Sequence, residues 1–216
     1  MTRAFEDLFG VHDAFRGITM PGRTDAWILA AAAAAHGIPL HDPRLAQFRD
    51  AYLPHLAREL DAHGAGHKGV MPGVRELLDV LDSRRDDCLA LLSGNYEAAA
   101  QLKLEYFDLW RYFRCGAYGD EAHDRNSLLA EALDRIKACG GPAASPNDAI
   151  VVGDTPFDIA CAAAGGARSV AVATGSHGVE ALRAARADAV FETLADTDAV
   201  LDTMQKLTSA ARLSRD

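Results

Sequence analysis

Two kinds of apolar spacing divide the chain. Up to about residue 68, apolar positions recur every three or four residues, the repeat of helices with one buried face. Ala4, Phe5, Leu8 and Phe9 precede Gly10, and an alanine-rich run opens at Gly22-Arg23-Thr24-Asp25 and stops at Gly37 and Pro39. A further helix is expected from Asp42-Pro43 through Phe48, Tyr52, Leu56 and Leu60. Beyond Pro72, short continuous apolar runs alternate with helical stretches, the signature of a parallel sheet covered on both faces. The spacing predicts strands over 88–92, 113–117, 149–152, 169–173 and 189–191, the first of them fully buried and the third short enough to be a buried strand too. It predicts helices over 74–81, 96–106, 125–139, from Pro156 onward, 179–185 and 197–208, with a polar tail over 209–216 that frays. The change of repeat marks a domain boundary between an all-helical segment, 10–68, and an α/β segment, 69–216.

Composition narrows the partners. With 22 basic and 31 acidic residues the formal charge is -9, which argues against nucleic acid and anionic membrane as general partners. The longest apolar stretch, 28–35, is too short to span a bilayer, and the first residues lack the apolar core of a signal peptide. The four cysteines (Cys88, Cys115, Cys139 and Cys161) are scattered without a C-x-x-C pair, as expected for reduced, buried thiols in a cytoplasmic protein. His63 and His67 have H-x-x-x-H spacing, but the glycines between them argue against a preformed helical metal site.

Candidate chemistry collects where apolar runs end. Val151-Val152-Gly153-Asp154-Thr155-Pro156-Phe157-Asp158 places two carboxylates at a strand-to-helix junction. Such a pair suits Mg2+, which takes one or two protein carboxylates, several waters and a substrate phosphate. It equally suits an acidic helix cap. Ser93-Gly94-Asn95 ends another strand, with a hydroxyl and two backbone N–H groups that could meet a phosphate; the alternatives are a plain N-cap and a serine nucleophile. The nucleophile reading is weak, because G-x-S-x-G would need glycine where Leu91 stands. Arg125 opens a helix, an unfavourable place for a cation unless an anion or its neighbours Asp120, Glu121 and Asp124 hold it. Arg23 stands in the same unfavourable position and is expected to face the core pocket and the distal end of a substrate.

Together, Ser93-Gly94, Arg125 and Gly153-Asp154-Thr155-Pro156-Phe157-Asp158 resemble motifs II, III and IV of the haloacid dehalogenase-like phosphatases, most closely the phosphoglycolate-phosphatase-like members. Gly22-Arg23-Thr24-Asp25 resembles the loop that opens their helical cap, 72–78 the return to the core, and Ala173-Thr174-Gly175 the segment after the next strand. The resemblance implies a Rossmann-like parallel-sheet core with a helical cap, residues 1–9 being a residual core helix. It implies hydrolysis of a small phosphorylated metabolite with Mg2+ held or oriented by Asp154 and Asp158, and Ser93 and Arg125 on the phosphoryl group. Arg125 stands where most of the family has lysine, a different donor geometry.

One part of the family pattern is absent. The attacking aspartate belongs to an Asp-x-Asp-Gly-Thr sequence ending a central N-terminal strand, and these 216 residues contain none. Met1 aligns within the helix after that motif, so the strand is expected upstream, a reading frame begun at an internal methionine being the expected cause. The sheet should then have a gap between the strands ending at Ser93 and Asp154, and the chain should not hydrolyse phosphomonoesters. The alternatives are a catalytically dead phospho-ligand or partner-binding protein, and a phosphosugar mutase.

Overall fold

The computed structural model describes residues 1–62, 69–84, 86–120, 122, 124–142 and 145–213, the last four of these by their backbone. The His63 and His67 pair lies outside the described residues. Three long helices form the first layer: α1 (Thr2–Phe9), α2 (Asp25–Ala35) and α3 (Pro43–Asp61). Thr24 caps α2 by accepting from the Trp27 N–H at 3.2 Å, and Asp42 caps α3 ahead of Pro43. The segment 11–24 is turns rather than helix, reversing the chain between α1 and α2.

Residues 1–9, expected to be a residual core helix, lie along α3 in an apolar cluster that also takes in Tyr96 and Ala99 of the α/β segment. Phe5 is fully buried among Phe9, Phe15 and Phe48, and α1 lies along α3. The aromatic stripe of α1 fits the aromatic stripe of α3, and that apolar burial decides its place.

The α/β layer follows in the expected alternation. It comprises α4 (Val74–Ser83), β1 (Ala90–Leu92), α5 (Glu97–Tyr106), β2 (Cys115–Ala117), α6 (Leu128–Ala138), β3 (Ile150–Gly153) and α7 (Pro156–Gly165). After these come β4 (Arg168–Val172), α8 (Val179–Ala184), β5 (Ala189–Phe191) and α9 (Thr197–Leu213). All strand pairs are parallel, but they form two sheets: β1 with β2, and β3 with β4 with β5. Among the described residues no strand joins β1 to β3.

The split changes the burial read from the sequence. β1 is only partly buried, and Val152 in β3 is 43% exposed, because each strand lacks a neighbour on one edge. Helices bridge the halves: Leu129 of α6 packs with Val151 of β3, Cys161 and Ala162 of α7, and Leu92 of β1. The tail departs from expectation as well. Helix α9 runs through Ser209 to Leu213, since Ala, Arg and Leu favour helix whatever their polarity. Of the four free thiols only Cys161 is buried; Cys139, at the end of α6, is exposed. Among the described residues no helix is long and apolar enough to cross a membrane.

Candidate active site

The carboxyl ends of β1 and β3 open on one cavity of about 550 Å³. Its lining includes Arg23, Ser93, Gly94, Asn95, Arg125, Asp154 and Asp158, so the structure brings together every residue singled out at the strand ends and at the start of α2. Open parallel sheets present ligand sites at this edge.

Arg125 sits in a 3-10 turn (Arg125–Ser127) that packs on α7, where the Cys161 thiol donates to the Arg125 carbonyl at 3.2 Å. Its Nη2 donates to Asp158 Oδ1 at 2.5 Å, a pair whose side chains are 13% and 7% exposed. On the other side of the guanidinium lies Gly94: a Cβ built there would stand 2.9 Å from Arg125 Nη1. One cation thus joins the two strand ends.

The two aspartates part company. Asp158 Oδ2 accepts from the Thr155 N–H at 2.9 Å and the Thr155 hydroxyl at 2.8 Å in a capping box, while Oδ1 takes Arg125. Both oxygens are thereby engaged, so Asp158 orients and balances Arg125 rather than offering an open ligand. Asp154 has no side-chain partner among the described residues. Burial, reinforced by the neighbouring Asp158 charge, pushes its carboxyl above the usual carboxylate range. Gly175 lets the chain after β4 approach it, since a Cβ there would collide with Asp154 Oδ2. No group of three His, Cys, Asp or Glu able to hold a metal occurs among the described residues. Mg2+ needs no such cage, and a half-buried carboxylate with no hydrogen-bonding side-chain partner among the described residues, beside a second one, fits it.

The Ser93 turn differs from the expectation. The Asn95 N–H donates to Ser93 Oγ at 3.1 Å, and the next amides of α5 are taken by Asp25 (Tyr96 N–H, 2.9 Å) and Asp120 (Glu97 N–H, 2.8 Å). The helix start is already capped by carboxylates, leaving the Ser93 hydroxyl proton and the Gly94 N–H as candidate donors. Arg23 is stacked between Trp27 (4.3 Å) and Phe157 (4.4 Å), so it can hydrogen-bond only through its edge. The Nε atoms of Arg23 and Arg125 are buried without a partner, donors left for a ligand.

Two charged lining residues have no site role in the sequence reading. Asp25, 3% exposed, ties the helical layer to β1: its N–H donates to the Gly94 carbonyl at 2.6 Å and its carboxylate accepts from Tyr96. Lys103 of α5 donates to Asn95 Oδ1 at 2.8 Å. The clue was its spacing, one turn after buried Ala99 and two after buried Tyr96, which puts a cation on an apolar stripe.

Residues 125–197 match the HAD-hydrolase-like family model. The fold is similar to that of a predicted phosphoglycolate phosphatase from Haemophilus somnus 129pt, at 17% identity and a TM-score of 0.62 over 93% of this chain and 88% of that one. It is similar also to a hydrolase from Pseudomonas syringae (18% identity, TM-score 0.63, 93% and 90% covered). A haloacid dehalogenase-like protein of unknown function, ATU0790 from Agrobacterium tumefaciens str. C58, matches at 22% identity and a TM-score of 0.53, with 94% and 89% covered. No curated protein matches the sequence. The chain shares the fold of these proteins, and the segment holding Arg125, Asp154 and Asp158 is the one that matches the HAD-hydrolase-like family model.

Proposed function

We propose that the cavity receives the phosphoryl group of a small phosphomonoester beside Mg2+, and that the 216-residue chain binds this ligand without hydrolysing it. The observation that carries the reading is the convergence of Ser93, Gly94 and Arg125 with the half-buried Asp154 around one cavity. Ser93 and Gly94 would donate to phosphoryl oxygens. Arg125, fixed by Asp158 and with Nε still unpartnered, would neutralise them. Asp154 would hold Mg2+, which supplies charge neutralisation at the phosphoryl oxygens. Arg23 would add charge on the far side, held rigid by its two aromatic neighbours.

In-line attack needs an uncommitted nucleophile, and the three cavity aspartates are poor candidates. Asp25 accepts the Tyr96 amide, Asp158 holds Arg125 and Thr155, and Asp154 is the carboxylate a cation requires. The test is calorimetric titration of inorganic phosphate into the folded chain with Mg2+, beside a p-nitrophenyl phosphate assay. Binding lost in Ser93→Ala, with no turnover, is the expected result. Turnover by the folded chain that survives repurification and disappears in Asp154→Ala would refute the reading that the chain binds without hydrolysing.

A further inference from the structure

The cavity holds three side-chain cations, of which Arg125 alone has a carboxylate in direct contact among the described residues. Arg23 is enclosed on both faces by rings. Lys103 is different: it is half-buried, its ammonium carries three donors, and Asn95 Oδ1 is the acceptor it meets. Asn95 hands the interaction on, its Nδ2 donating to Asp25 Oδ1 at 3.4 Å. The amide therefore separates the ammonium from its nearest opposite charge and leaves N–H groups of Lys103 directed at the cavity it lines. A half-buried ammonium with one neutral acceptor is an anion receptor more than a stabilising ion pair.

We infer that Lys103 is a specificity residue, receiving a carboxylate carried by the same ligand whose phosphoryl group lies at Ser93 and Arg125. The inference rests on the phosphoryl reading above and adds to it the second polar group of the ligand. A carboxylate suits the position better than a second phosphoryl group, because Asp25 behind Asn95 opposes a dianion. The ligand is small: Lys103 donates to the Asn95 side chain, and the Asn95 N–H reaches Ser93 Oγ at 3.1 Å, so a single residue bridges the two anchors. The bland alternative is that Lys103 only offsets the buried charge of Asp25 through Asn95.

Calorimetry in Mg2+ with 2-phosphoglycolate, ethyl phosphate and inorganic phosphate separates these. The wild-type chain should prefer 2-phosphoglycolate to ethyl phosphate by about tenfold or more. Lys103→Met should bring that ratio to about one while ethyl phosphate affinity changes less than about threefold, and Lys103→Arg should restore part of the preference. Lys103→Gln, which keeps a donor to Asn95, covers the case in which the methionine variant fails to fold. A ratio unchanged in both Lys103→Met and Lys103→Gln, or equal weakening of both esters, would overturn the role of Lys103. If the wild-type chain binds none of the three ligands, or Ser93→Ala binds all of them as well as wild type, the phosphoryl reading itself fails and takes this inference with it.

Discussion

Asp154 is the cavity carboxylate with the fewest commitments, and its raised pKa states what that costs. Burial first, then the charge of Asp158, disfavour its ionised form, so the folded protein takes up this proton more readily than the unfolded chain. For an acid shifted upward the sign is clear: ionisation at neutral pH works against folding. Stability from this group is recovered as pH falls through the raised folded value towards the ordinary one near 4. Asp154→Asn should therefore raise the melting temperature at pH 7 without metal. Mg2+ at about a hundredfold over its Kd should raise the wild-type melting temperature by roughly 5–10 °C, from about 2.7 kcal/mol of linkage in a chain of this size. Asp154→Asn should abolish that rise, and so should Gly175→Ala, whose Cβ takes the space of Asp154 Oδ2. A Mg2+ response that survives in both variants would place the cation elsewhere.

At the scale of elements, helix α7 and the 3-10 turn before α6 are locked by Arg125 and Asp158, buried together. Arg125→Leu leaves Asp158 with Thr155 alone and an unpaired charge. A loss of about 3–5 kcal/mol in urea denaturation is expected. Arg125→Leu combined with Asp158→Leu should recover a large part of it, whereas additive losses would show that the pair is not a unit. Such contacts mark the limit of what the sequence alone displays. Among the described residues apolar spacing located the α-helices of the α/β half and the core of its strands, though not the short 3-10 helices at Trp110–Tyr112 and Pro146–Asp148, because spacing is a property of one element. Ser93, Arg125 and Asp154 were legible because strand ends and helix starts in this fold carry polar chemistry. What depends on neighbours was not legible: the exposure of Val152, the seat of α1 against α3, and the capture of the α5 amides by Asp25 and Asp120. Asp158 looked like a metal ligand because nothing in the sequence says that Thr155 and Arg125 occupy both its oxygens.

Across the whole molecule, Ser93 belongs to one half-sheet and Asp154 to the other. Among the described residues no backbone hydrogen bond joins these halves; the packing of α6 and α7 and the Arg125–Asp158 pair do. The free edges can be assigned from the pairing. The Ser93 N–H donates to Ala117 and the Arg168 N–H to Ala149, and successive residues of a strand point to opposite sides. Leu91 therefore faces β2 and Leu92 faces away from it; Val151 faces β4 and Val152 faces away. Hydrogen exchange read by NMR should find the Leu92 and Val152 amides exchanging faster than those of Leu91 and Val151 by about two orders of magnitude or more. Equal protection along each strand would mean that these edges are paired in solution and that the two-sheet description is wrong. A ligand touching Ser93, Arg125 and Asp154 at once spans both halves, so Mg2+ with inorganic phosphate should slow exchange in β1 and β3 together. Slowing confined to β3 and the start of α7 would assign the anion to Asp154 and its cation alone, and would remove Ser93 from the site.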